Sequence, residues 1–393
     1  MKTINKSNDE RFQEDESQIG LQLINIPYEE QLKQKKQTVE HLIKTVTKTN
    51  TTVNEVIGMK DPYHYRNKIH VVVGLKDNKI ISGMYKENSH IIIPFESSVI
   101  HDKKADEIIN SITKILTKLK IPAYDEDSKK GLIRHILVKR GFKTDQTMVV
   151  IVTSSDVFPG RNNFVKALRE AHQDITTIIQ NTNPRSTSIV LGNNERVLYG
   201  KGYITDILCE LKFNISAKSF YQINPIQTEL LYKKAIEYAG LTGNEVILDA
   251  YCGVGTVGLI ASEYAKEVIG VEINKDAIKD AISNAKNNKI NNVKFYCADA
   301  SLFMIDLAEM KRKIDLVFID PPRSGCDPKF LESLVKLNPK KVVYISCDPA
   351  TLARDLHYLI NNQYQVGIIQ PVDMFPHTKH VETVCLLTRI SSM

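Results

Sequence analysis

The pattern of apolar and polar positions divides the chain into three parts. Residues 1–18 are almost entirely polar, and such a segment buries too little apolar surface to offset the entropy of ordering. From Pro27, apolar residues recur at helical spacing between charges, which predicts an amphipathic helix over about residues 28–48. Between about 50 and 212, short alternating segments such as KIHVVVGL predict strands, and two stretches with helical periodicity interrupt them.

The third part, from about residue 213, alternates apolar strands with helix-length segments. The predicted strands are VILDA, VIGVE, VKFYC, DLVFI and KVVYIS. Strands that alternate with helices in this way predict a parallel, doubly wound sheet with right-handed crossovers. We therefore expect an α/β protein with a disordered tail at 1–26, an α+β domain at 27–212 and a Rossmann-like, doubly wound domain at 213–393.

The composition of the 393 residues is that of an ordinary globular protein, with 42% hydrophobic and 25% charged residues. No apolar run approaches the roughly 18 residues of a membrane-spanning helix, and the amino terminus lacks the apolar core of a signal peptide. A cytoplasmic location is therefore expected. The 52 Lys and Arg against 46 Asp and Glu leave a net charge of +6, which suits a polyanionic partner but equally a well-solvated surface.

The cysteines do not follow a metal-binding or disulfide pattern. No two of them are spaced as C-x-x-C, which argues against a zinc ribbon or a disulfide framework. A single cysteine therefore remains available for catalysis in a reducing compartment. The six positions are Cys209, Cys252, Cys297, Cys326, Cys347 and Cys385.

A glycine-rich turn follows the first strand of the doubly wound part. Residues 251–258 read G-x-G-x-x-G from the first glycine, a pattern that NAD and S-adenosylmethionine sites share. Asp249 ends the strand, where a carboxylate suits the cationic amino-acid end of S-adenosylmethionine and would repel a pyrophosphate. Glu272 is placed to accept the ribose hydroxyls of either cofactor, and Asp299 the adenine amino group. Alternatively, these acids are expected to cap the following helices, the role that Asn274 could also take.

Two further motifs are predicted at the same edge of the sheet. Asp320 opens a DPPRSG loop after the fourth strand, and Cys347 ends the fifth strand beside a helix start. The partial positive charge of a helix amino terminus lowers a thiol pKa, which favours a thiolate nucleophile. The alternatives are an ordinary Asp-Pro-Pro turn and a small buried cysteine.

The loop before the last strand brings a third set of side chains to this edge. His377, His380 and Glu382 are expected near Cys347. They resemble a set of metal ligands, but no metal site is expected because a cysteine and a carboxylate already form a working pair. A thiolate can add to carbon 6 of a pyrimidine, which activates carbon 5 toward a methyl donor, and a base then removes the carbon 5 proton.

From Pro27 onward the sequence resembles the RNA 5-methyluridine methyltransferase family. The motifs are DPPRSG, VVYISC and DMFPHTKHVE in this order. The resemblance implies a methyltransferase domain that uses S-adenosylmethionine and follows an RNA-recognition domain. It implies Cys347 as nucleophile, Glu382 as proton acceptor and, as cofactor contacts, Gln222, Tyr251, Glu272 and Asp320, with Asp299 and Thr256 at further positions near the cofactor.

The resemblance also implies RNA as the partner, and no obligate protein partner is expected. Ribosomal RNA is favoured over transfer RNA, because PYEEQLKQKKQTV and PYHYRNK look more like the ribosomal branch. The candidate phosphate or base contacts could equally be solvated surface charges. They are Arg66, Lys68, Arg134, His135, Lys139 and Arg140.

Two departures from the ribosomal branch concern its additional elements. Many members carry an amino-terminal TRAM β-barrel, for which too few residues precede Pro27. They also carry four cysteines for an iron-sulfur cluster, where this chain has Gln18, Leu21 and, near the fourth position, Ser98. No iron-sulfur cluster is therefore expected, which leaves the choice of substrate more open than the catalysis.

Three other function classes are less consistent with these motifs. A non-catalytic RNA-binding protein on the same fold would leave the Cys347 and Glu382 pair unexplained. A cytosine-5 RNA methyltransferase uses the same thiolate chemistry, but such enzymes differ around their cysteines. An NAD oxidoreductase would leave Cys347 without a role, and no separate substrate domain follows the glycine-rich turn.

Overall fold

The computed structural model describes residues 20–86, 89–186 and 189–390. Within these, helix α1 (Tyr28–Thr47) precedes a seven-stranded, mainly antiparallel sheet in which only β5 and β6 pair in parallel. Its strands follow the order β3-β2-β1-β4-β5-β6-β7 across the sheet. They are β1 (Lys68–Lys76), β2 (Lys79–Tyr85), β3 (Ile92–Pro94), β4 (Ile133–Arg140), β5 (Thr147–Thr153), β6 (Ile175–Thr182) and β7 (Asn194–Tyr199), with helices α2 (Lys103–Lys118) and α3 (Arg161–Ala171) between them.

One face of this sheet is covered by α2 and α3. Ile69, Val71 and Val73 alternate along β1 and are buried against apolar residues of both helices, such as Ile112 and Phe164. This arrangement follows from the strand period of two, which places alternate side chains on one face. The α+β character predicted from the sequence is present in this part of the chain.

A two-stranded hairpin links the two halves, with β8 (Tyr203–Leu208) and β9 (Leu211–Ser216). Its apolar residues belong to one hydrophobic core that also includes Leu137 of the first sheet and Val268 of the second. The hairpin includes the division predicted between residues 212 and 213, so that boundary stays a prediction.

The second seven-stranded sheet of the described residues contains the five strands that the sequence predicts. Its order is β12-β11-β10-β13-β14-β16-β15. Strands β10 to β14 pair in parallel, and β16 pairs antiparallel with both β14 and β15. The elements are α4 (Pro225–Ala239), β10 (Val246–Ala250), α5 (Thr256–Ala261), β11 (Glu267–Glu272), α6 (Lys275–Asn287), β12 (Val293–Cys297), α7 (Ala300–Glu309), β13 (Leu316–Ile319), α8 (Pro328–Leu337), β14 (Lys341–Ser346), α9 (Pro349–Asn361), β15 (Tyr364–Val372) and β16 (Glu382–Arg389).

This topology confirms the predicted α/β class with a doubly wound sheet. The sheet order runs from β10 to β11 on one side and from β10 to β13 on the other. Such a switch point leaves a crevice at the carboxyl ends of the strands, where ligands bind in open α/β sheets. The fold therefore places the loops after β10 and β13 beside each other.

The amino-terminal part of the described chain packs on the carboxyl-terminal half. Val39 and Ile43 of α1 share a hydrophobic core with β10, β13 and α9. Of the predicted tail, residues 1–19 lie outside the described residues. Residues 20–26 form turns, because Leu21 and Leu23 find apolar surface to bury and are only 2% and 6% exposed. Among the described helices, none combines the length and the apolar character needed to cross a bilayer.

Candidate active site

A cavity of about 890 Å³ opens at the carboxyl edge of the second sheet. Its wall combines residues from the loops after β10, β11, β13 and β14 with residues of the first half of the chain, such as Tyr65 and Arg66. The predicted nucleophile and base and five of the predicted cofactor contacts line this cavity, namely Cys347, Glu382, Gln222, Tyr251, Thr256, Glu272 and Asp320. A volume of this size suits a cofactor together with one nucleobase.

Cys347 and Glu382 are brought together by one sheet register. Strand β14 ends at Ser346, directly opposite Thr383 of the antiparallel strand β16. Cys347 follows Ser346 and Glu382 precedes Thr383, so both lie at the same end of the strand pair. Cys347 is partly exposed to the cavity, whereas Glu382 is only 3% exposed.

The Cys347 thiol does not have the lowered pKa that the sequence suggested. Burial, followed by the charges of Glu382 and Asp320, raises the pKa of Cys347 to about 12, against a weaker opposing effect of Arg323. At the helix terminus beside it, the carboxylate of Asp348 accepts hydrogen bonds from the N–H groups of Ala350 and Thr351. The thiol is therefore protonated in the free protein at neutral pH.

Both carboxyls beside the thiol also favour the protonated form. Burial raises the pKa of Glu382 well above its usual value, and Asp320 raises it further. Burial raises the pKa of Asp320 to about 7. A raised carboxyl pKa in a cleft is typical of acid–base sites.

The DPPRSG loop supplies a cation as well as Asp320. Nη2 of Arg323 lies 2.6 Å from Nδ1 and 2.8 Å from Nε2 of His380, and both side chains line the cavity. The guanidinium lowers the pKa of His380, after the larger effect of burial. The sequence placed Arg323 in a motif without giving it a role, since the contact with His380 joins two loops that are distant in the chain.

Residues of the glycine-rich turn form part of the cavity wall. Tyr251, Gly253 and Gly255 have φ values of 67°, 54° and 84°, in the left-handed region that glycine adopts at least cost. A Cβ added to Gly253 would meet no atom within 4 Å, so this side of the turn is open. Glu272 accepts hydrogen bonds from the N–H groups of Gly253 at 3.2 Å and Asn274 at 2.8 Å.

Gln222 enters the wall from the segment before α4. It is 9% exposed, and its backbone oxygen accepts a hydrogen bond from Nδ2 of Asn67 at 3.0 Å. Beside it, the Tyr232 hydroxyl lies 3.5 Å from Oγ1 of Thr256. Tyr232 was not foreseen from the sequence, because a tyrosine on an amphipathic helix carries no signal beyond core packing.

Two acids expected near the cofactor lie elsewhere. Asp299 is exposed and accepts a hydrogen bond from the N–H of Leu302 as the cap of α7. Asp249 is buried, and its carboxylate accepts a hydrogen bond from the N–H of Gly258 at 2.8 Å. Neither belongs to the cavity wall. The helix-cap alternative therefore describes the observed contacts of Asp299, and its contact with adenine stays a prediction.

Three of the basic residues considered for RNA contacts are engaged inside the protein. Arg134 pairs with Glu126, and Arg140 pairs with Asp102. Nζ of Lys139 donates to the backbone oxygens of Ser216 and Ser219 at 2.8 and 2.9 Å. These cations are buried because β4 lies at the centre of the first sheet, which the sequence could not show. His135 is also buried, and its ring packs 4.9 Å from that of His70.

The remaining two cations lie at the beginning of β1, with Arg66 just before the strand and Lys68 as its first residue. Arg66 lines the cavity, and its Nε has no hydrogen-bond partner among the described residues. Lys68 lies two residues further along the chain, and burial followed by the charge of Arg66 lowers its pKa. These two residues remain candidates for contacts with an anionic ligand.

The two histidines that were considered as metal ligands contact different residues. Nδ1 of His377 lies 3.2 Å from Nε2 of Gln31, whereas His380 contacts Arg323. No set of three His, Cys, Asp or Glu residues in the described segments is arranged to hold a metal ion.

The residues at the expected iron-sulfur position do not fit a cluster. Leu21 packs with Met59, Tyr65 and Ile100 in a small apolar group. Ser98 offers a hydroxyl where a cluster requires a thiolate.

Comparison with known proteins gives a consistent assignment. A family model described as tRNA (Uracil-5-)-methyltransferase matches residues 27–390. An uncharacterized RNA methyltransferase of Clostridium tetani is 44% identical over 369 residues, which cover 94% of this chain and 80% of that protein. One from Staphylococcus aureus is 45% identical over 369 residues, with coverages of 93% and 81%.

A solved structure is also similar over most of the chain. The Pyrococcus abyssi tRNA (uracil-54, C5)-methyltransferase in complex with S-adenosyl-L-homocysteine superposes with a TM-score of 0.78 at 28% identity. The match covers 94% of this chain and 86% of that one. The chain is therefore a member of the tRNA (uracil-5-)-methyltransferase family and an RNA methyltransferase that uses S-adenosylmethionine.

Proposed function

We propose that this protein methylates carbon 5 of a uridine in 23S ribosomal RNA, through a covalent bond between Cys347 and carbon 6 of the uracil. The observation that carries the chemistry is the meeting of Cys347 and Glu382 at the ends of two paired strands, with Asp320 on the same cavity wall. Both side chains line the cavity, as addition of a thiolate and removal of a proton at one bound base require.

The proposed reaction has three steps. The Cys347 thiol gives up its proton to water, its sulfur adds to carbon 6, and the electrons of the carbon 5–carbon 6 double bond form an enolate. Carbon 5 would then take the methyl group that bound S-adenosylmethionine supplies, with S-adenosylhomocysteine as the leaving group. Glu382, as a carboxylate, removes the remaining proton from carbon 5, the bond between sulfur and carbon 6 breaks, and the ring double bond is restored.

The cofactor would be held by four of the predicted residues. Glu272 retains free lone pairs for ribose hydroxyls besides its two backbone hydrogen bonds. Tyr251, Gln222 and Asp320 lie around the same part of the cavity. The open side of Gly253 allows close approach of a ligand to the backbone.

RNA is supported as the substrate by the cavity wall as well as by the family. Arg66 lines the cavity, and its buried Nε has no hydrogen-bond partner among the described residues. A guanidinium in this position favours an anionic ligand. A uridine must leave its stack to reach Cys347, so an exposed loop nucleotide is the preferred target. The thiol chemistry also requires a reducing compartment, which supports a cytoplasmic location.

Ribosomal RNA is chosen over transfer RNA because two segments, PYEEQLKQKKQTV and PYHYRNK, resemble the ribosomal branch. Transfer RNA is the second candidate, since the similar Pyrococcus abyssi enzyme is a tRNA (uracil-54, C5)-methyltransferase. The two candidates share the chemistry and differ in the RNA that presents the uridine.

The test gives the purified protein S-adenosylmethionine and unmodified transcripts of both RNAs, and maps 5-methyluridine by mass spectrometry of nuclease fragments. We expect methylation of one loop uridine in the 23S transcript. Methylation of transfer RNA alone would overturn the ribosomal choice and leave the chemistry intact. Methylation of cytosine, or none in either RNA, would overturn the proposed reaction.

A further inference from the structure

Helix α1 carries polar side chains on a face that the protein buries. Tyr28, Gln31, Lys35, Val39 and Ile43 follow helical spacing along one stripe, and the last two pack into the core of the second half. Gln31 is fully buried and Lys35 is 2% exposed. Burying an amide and an ammonium is costly unless each is bonded, so their partners indicate what this stripe holds.

Two of these side chains bind the first residue of the loop at 373–381. Nζ of Lys35 lies 2.6 Å from Oδ1 of Asp373, and the Tyr28 hydroxyl donates to Oδ2 of the same carboxylate at 2.9 Å. Nζ of Lys35 also donates to the backbone oxygen of Phe375 at 3.1 Å. Both oxygens of Asp373 are therefore bound by one helix face.

Gln31 holds the middle of the same loop. Its Oε1 accepts a hydrogen bond from the backbone N–H of His377 at 2.9 Å, and its Nε2 lies 3.2 Å from Nδ1 of that histidine. His377 has a φ of 68°, a left-handed conformation that a non-glycine residue keeps only when its surroundings enforce it. Tyr65 adds a hydrogen bond from its hydroxyl to the backbone oxygen of Pro376 at 3.0 Å.

The restrained loop ends at the base of the proposed reaction. It connects Val372 of β15 with Glu382 of β16, and these two residues are paired in the sheet. His380, which contacts Arg323, lies within the loop. A shift of the loop therefore moves His380 and Glu382 relative to Cys347, whereas Glu272 and Tyr251 belong to other strands and loops.

We infer that Tyr28, Gln31 and Lys35 are positioning residues, which fix the loop at 373–381 and thereby set the place of Glu382 beside Cys347. The inference rests on the proposed role of Glu382. It assigns to the first helix a specific step, the removal of the carbon 5 proton, rather than a general contribution to folding.

The test uses Tyr28→Phe and Gln31→Met, because removing Lys35 alone would leave the buried carboxylate of Asp373 unpaired and could unfold the protein. Each variant is compared with Lys36→Met, a lysine on the same helix whose ammonium pairs with Glu55 near the surface. Turnover on RNA, the fraction of enzyme in a denaturation-resistant RNA adduct and the affinity for S-adenosylhomocysteine are measured for every protein.

We expect turnover to fall by roughly tenfold to a hundredfold in both loop-contact variants, since small misplacements of a reacting group have effects of this size. The adduct should accumulate because addition and methylation proceed while elimination is slow. Cofactor affinity should stay within about twofold of the wild type, and Lys36→Met should match the wild type in every measurement.

Two results would overturn the inference. In one, the variants turn over as fast as the wild type. In the other, they lose turnover together with cofactor affinity and without an adduct, as a structural defect would produce. Glu382→Gln is run in parallel. An adduct in Glu382→Gln but not in the helix variants rejects the positioning role alone, whereas an adduct in none of them rejects the proposed role of Glu382.

Discussion

Oγ1 of Thr383 donates a hydrogen bond to the backbone oxygen of Ser346 across 3.3 Å, at the last paired position of β14 and β16. Cys347 and Glu382 are the next residue on either strand. Sheet pairing therefore brings these two positions to the same end of the strand pair, and a slip of one residue would turn one of them away from the cavity.

Replacing Cys347 by alanine should abolish methyl transfer and leave cofactor binding unchanged. The thiol lines the cavity but lies on a different loop from Glu272 and Tyr251. Methylation assays and calorimetry with S-adenosylhomocysteine measure the two properties separately. Turnover within about tenfold of the wild type would mean that Cys347 is not the nucleophile, because loss of a covalent nucleophile costs far more.

Replacing Glu382 by glutamine should trap the reaction after methylation. The amide keeps the size of the side chain but cannot accept the carbon 5 proton, so the enzyme–RNA bond persists. Denaturing gels with labelled RNA should show a retarded band, and Cys347→Ala on the same gel should not. A variant that is inactive and forms no adduct would indicate that Glu382 acts before methylation.

Replacing Glu272 by alanine should weaken S-adenosylhomocysteine binding at least about tenfold, since hydrogen bonds to a charged group contribute roughly 1.5–3 kcal/mol each. The matched control is Asp276→Ala, an exposed acid in the first turn of α6 that pairs with Lys279. Calorimetry on both variants compares them directly. Equal affinities would show that Glu272 only binds the backbone N–H groups of Gly253 and Asn274.

The rate should rise with pH through the neutral range. The pKa of Cys347 is raised to about 12 and that of Glu382 is raised well above its usual value, and both groups act in their deprotonated forms. Below a pKa, the deprotonated fraction increases about tenfold per pH unit. The pH profile of kcat/KM between about 6 and 8.5 should therefore climb without a plateau, and a flat profile would contradict a protonated resting thiol.

Asp249→Asn should stabilise the protein more at high pH than at low pH. Burial is the largest cause that raises the pKa of Asp249 to about 7, above the unfolded value of about 3.8. Its contribution to stability is thus complete below the unfolded pKa and is lost as pH rises through the folded pKa. The variant does not titrate, so its unfolding free energy relative to the wild type should increase by about 2–4 kcal/mol between pH 4.5 and 8.

Denaturant unfolding at several pH values measures this difference. The amide oxygen of the variant can keep the hydrogen bond from the N–H of Gly258. The difference in unfolding free energy between the two proteins at the lowest pH therefore serves as the reference, because it contains every effect of the substitution other than titration. A difference that does not change with pH would show that Asp249 is ionised in the folded protein.

The sequence was sufficient to predict the second sheet and its site edge, because strand and helix periodicities alternate there without ambiguity. The predicted nucleophile and base and five of the predicted cofactor contacts line one cavity. Asp249 and Asp299 do not, because an aspartate that binds helix N–H groups and one that binds a cofactor look alike in sequence. Tyr232 and the contact of Arg323 with His380 depend on distant segments meeting, which no local pattern encodes.

Charge was the least reliable guide to partners. The sequence suggested an exposed basic segment, yet its three cations lie in a central strand and bind acids or carbonyl groups of the protein. They are Arg134, Lys139 and Arg140. The prediction of a lowered pKa for the Cys347 thiol was wrong for a related reason. The local signal was a helix terminus, whereas the pKa is raised first by burial in the folded protein and then by Glu382 and Asp320, which lie on other segments of the chain.

The strand order of the second sheet affects the chain while it is being synthesised. Strand β16 follows all the other described strands in the chain, yet it lies between β14 and β15 in the sheet. Until β16 is synthesised, the facing edges of β14 and β15 are therefore unpaired. Lys35, which is buried in the folded protein, also lacks its partner Asp373, which lies 338 residues further along the chain. Cys347 is translated before Glu382, and this sheet is complete only when β16 inserts between β14 and β15, so a nascent chain that ends before β16 lacks the proposed pair.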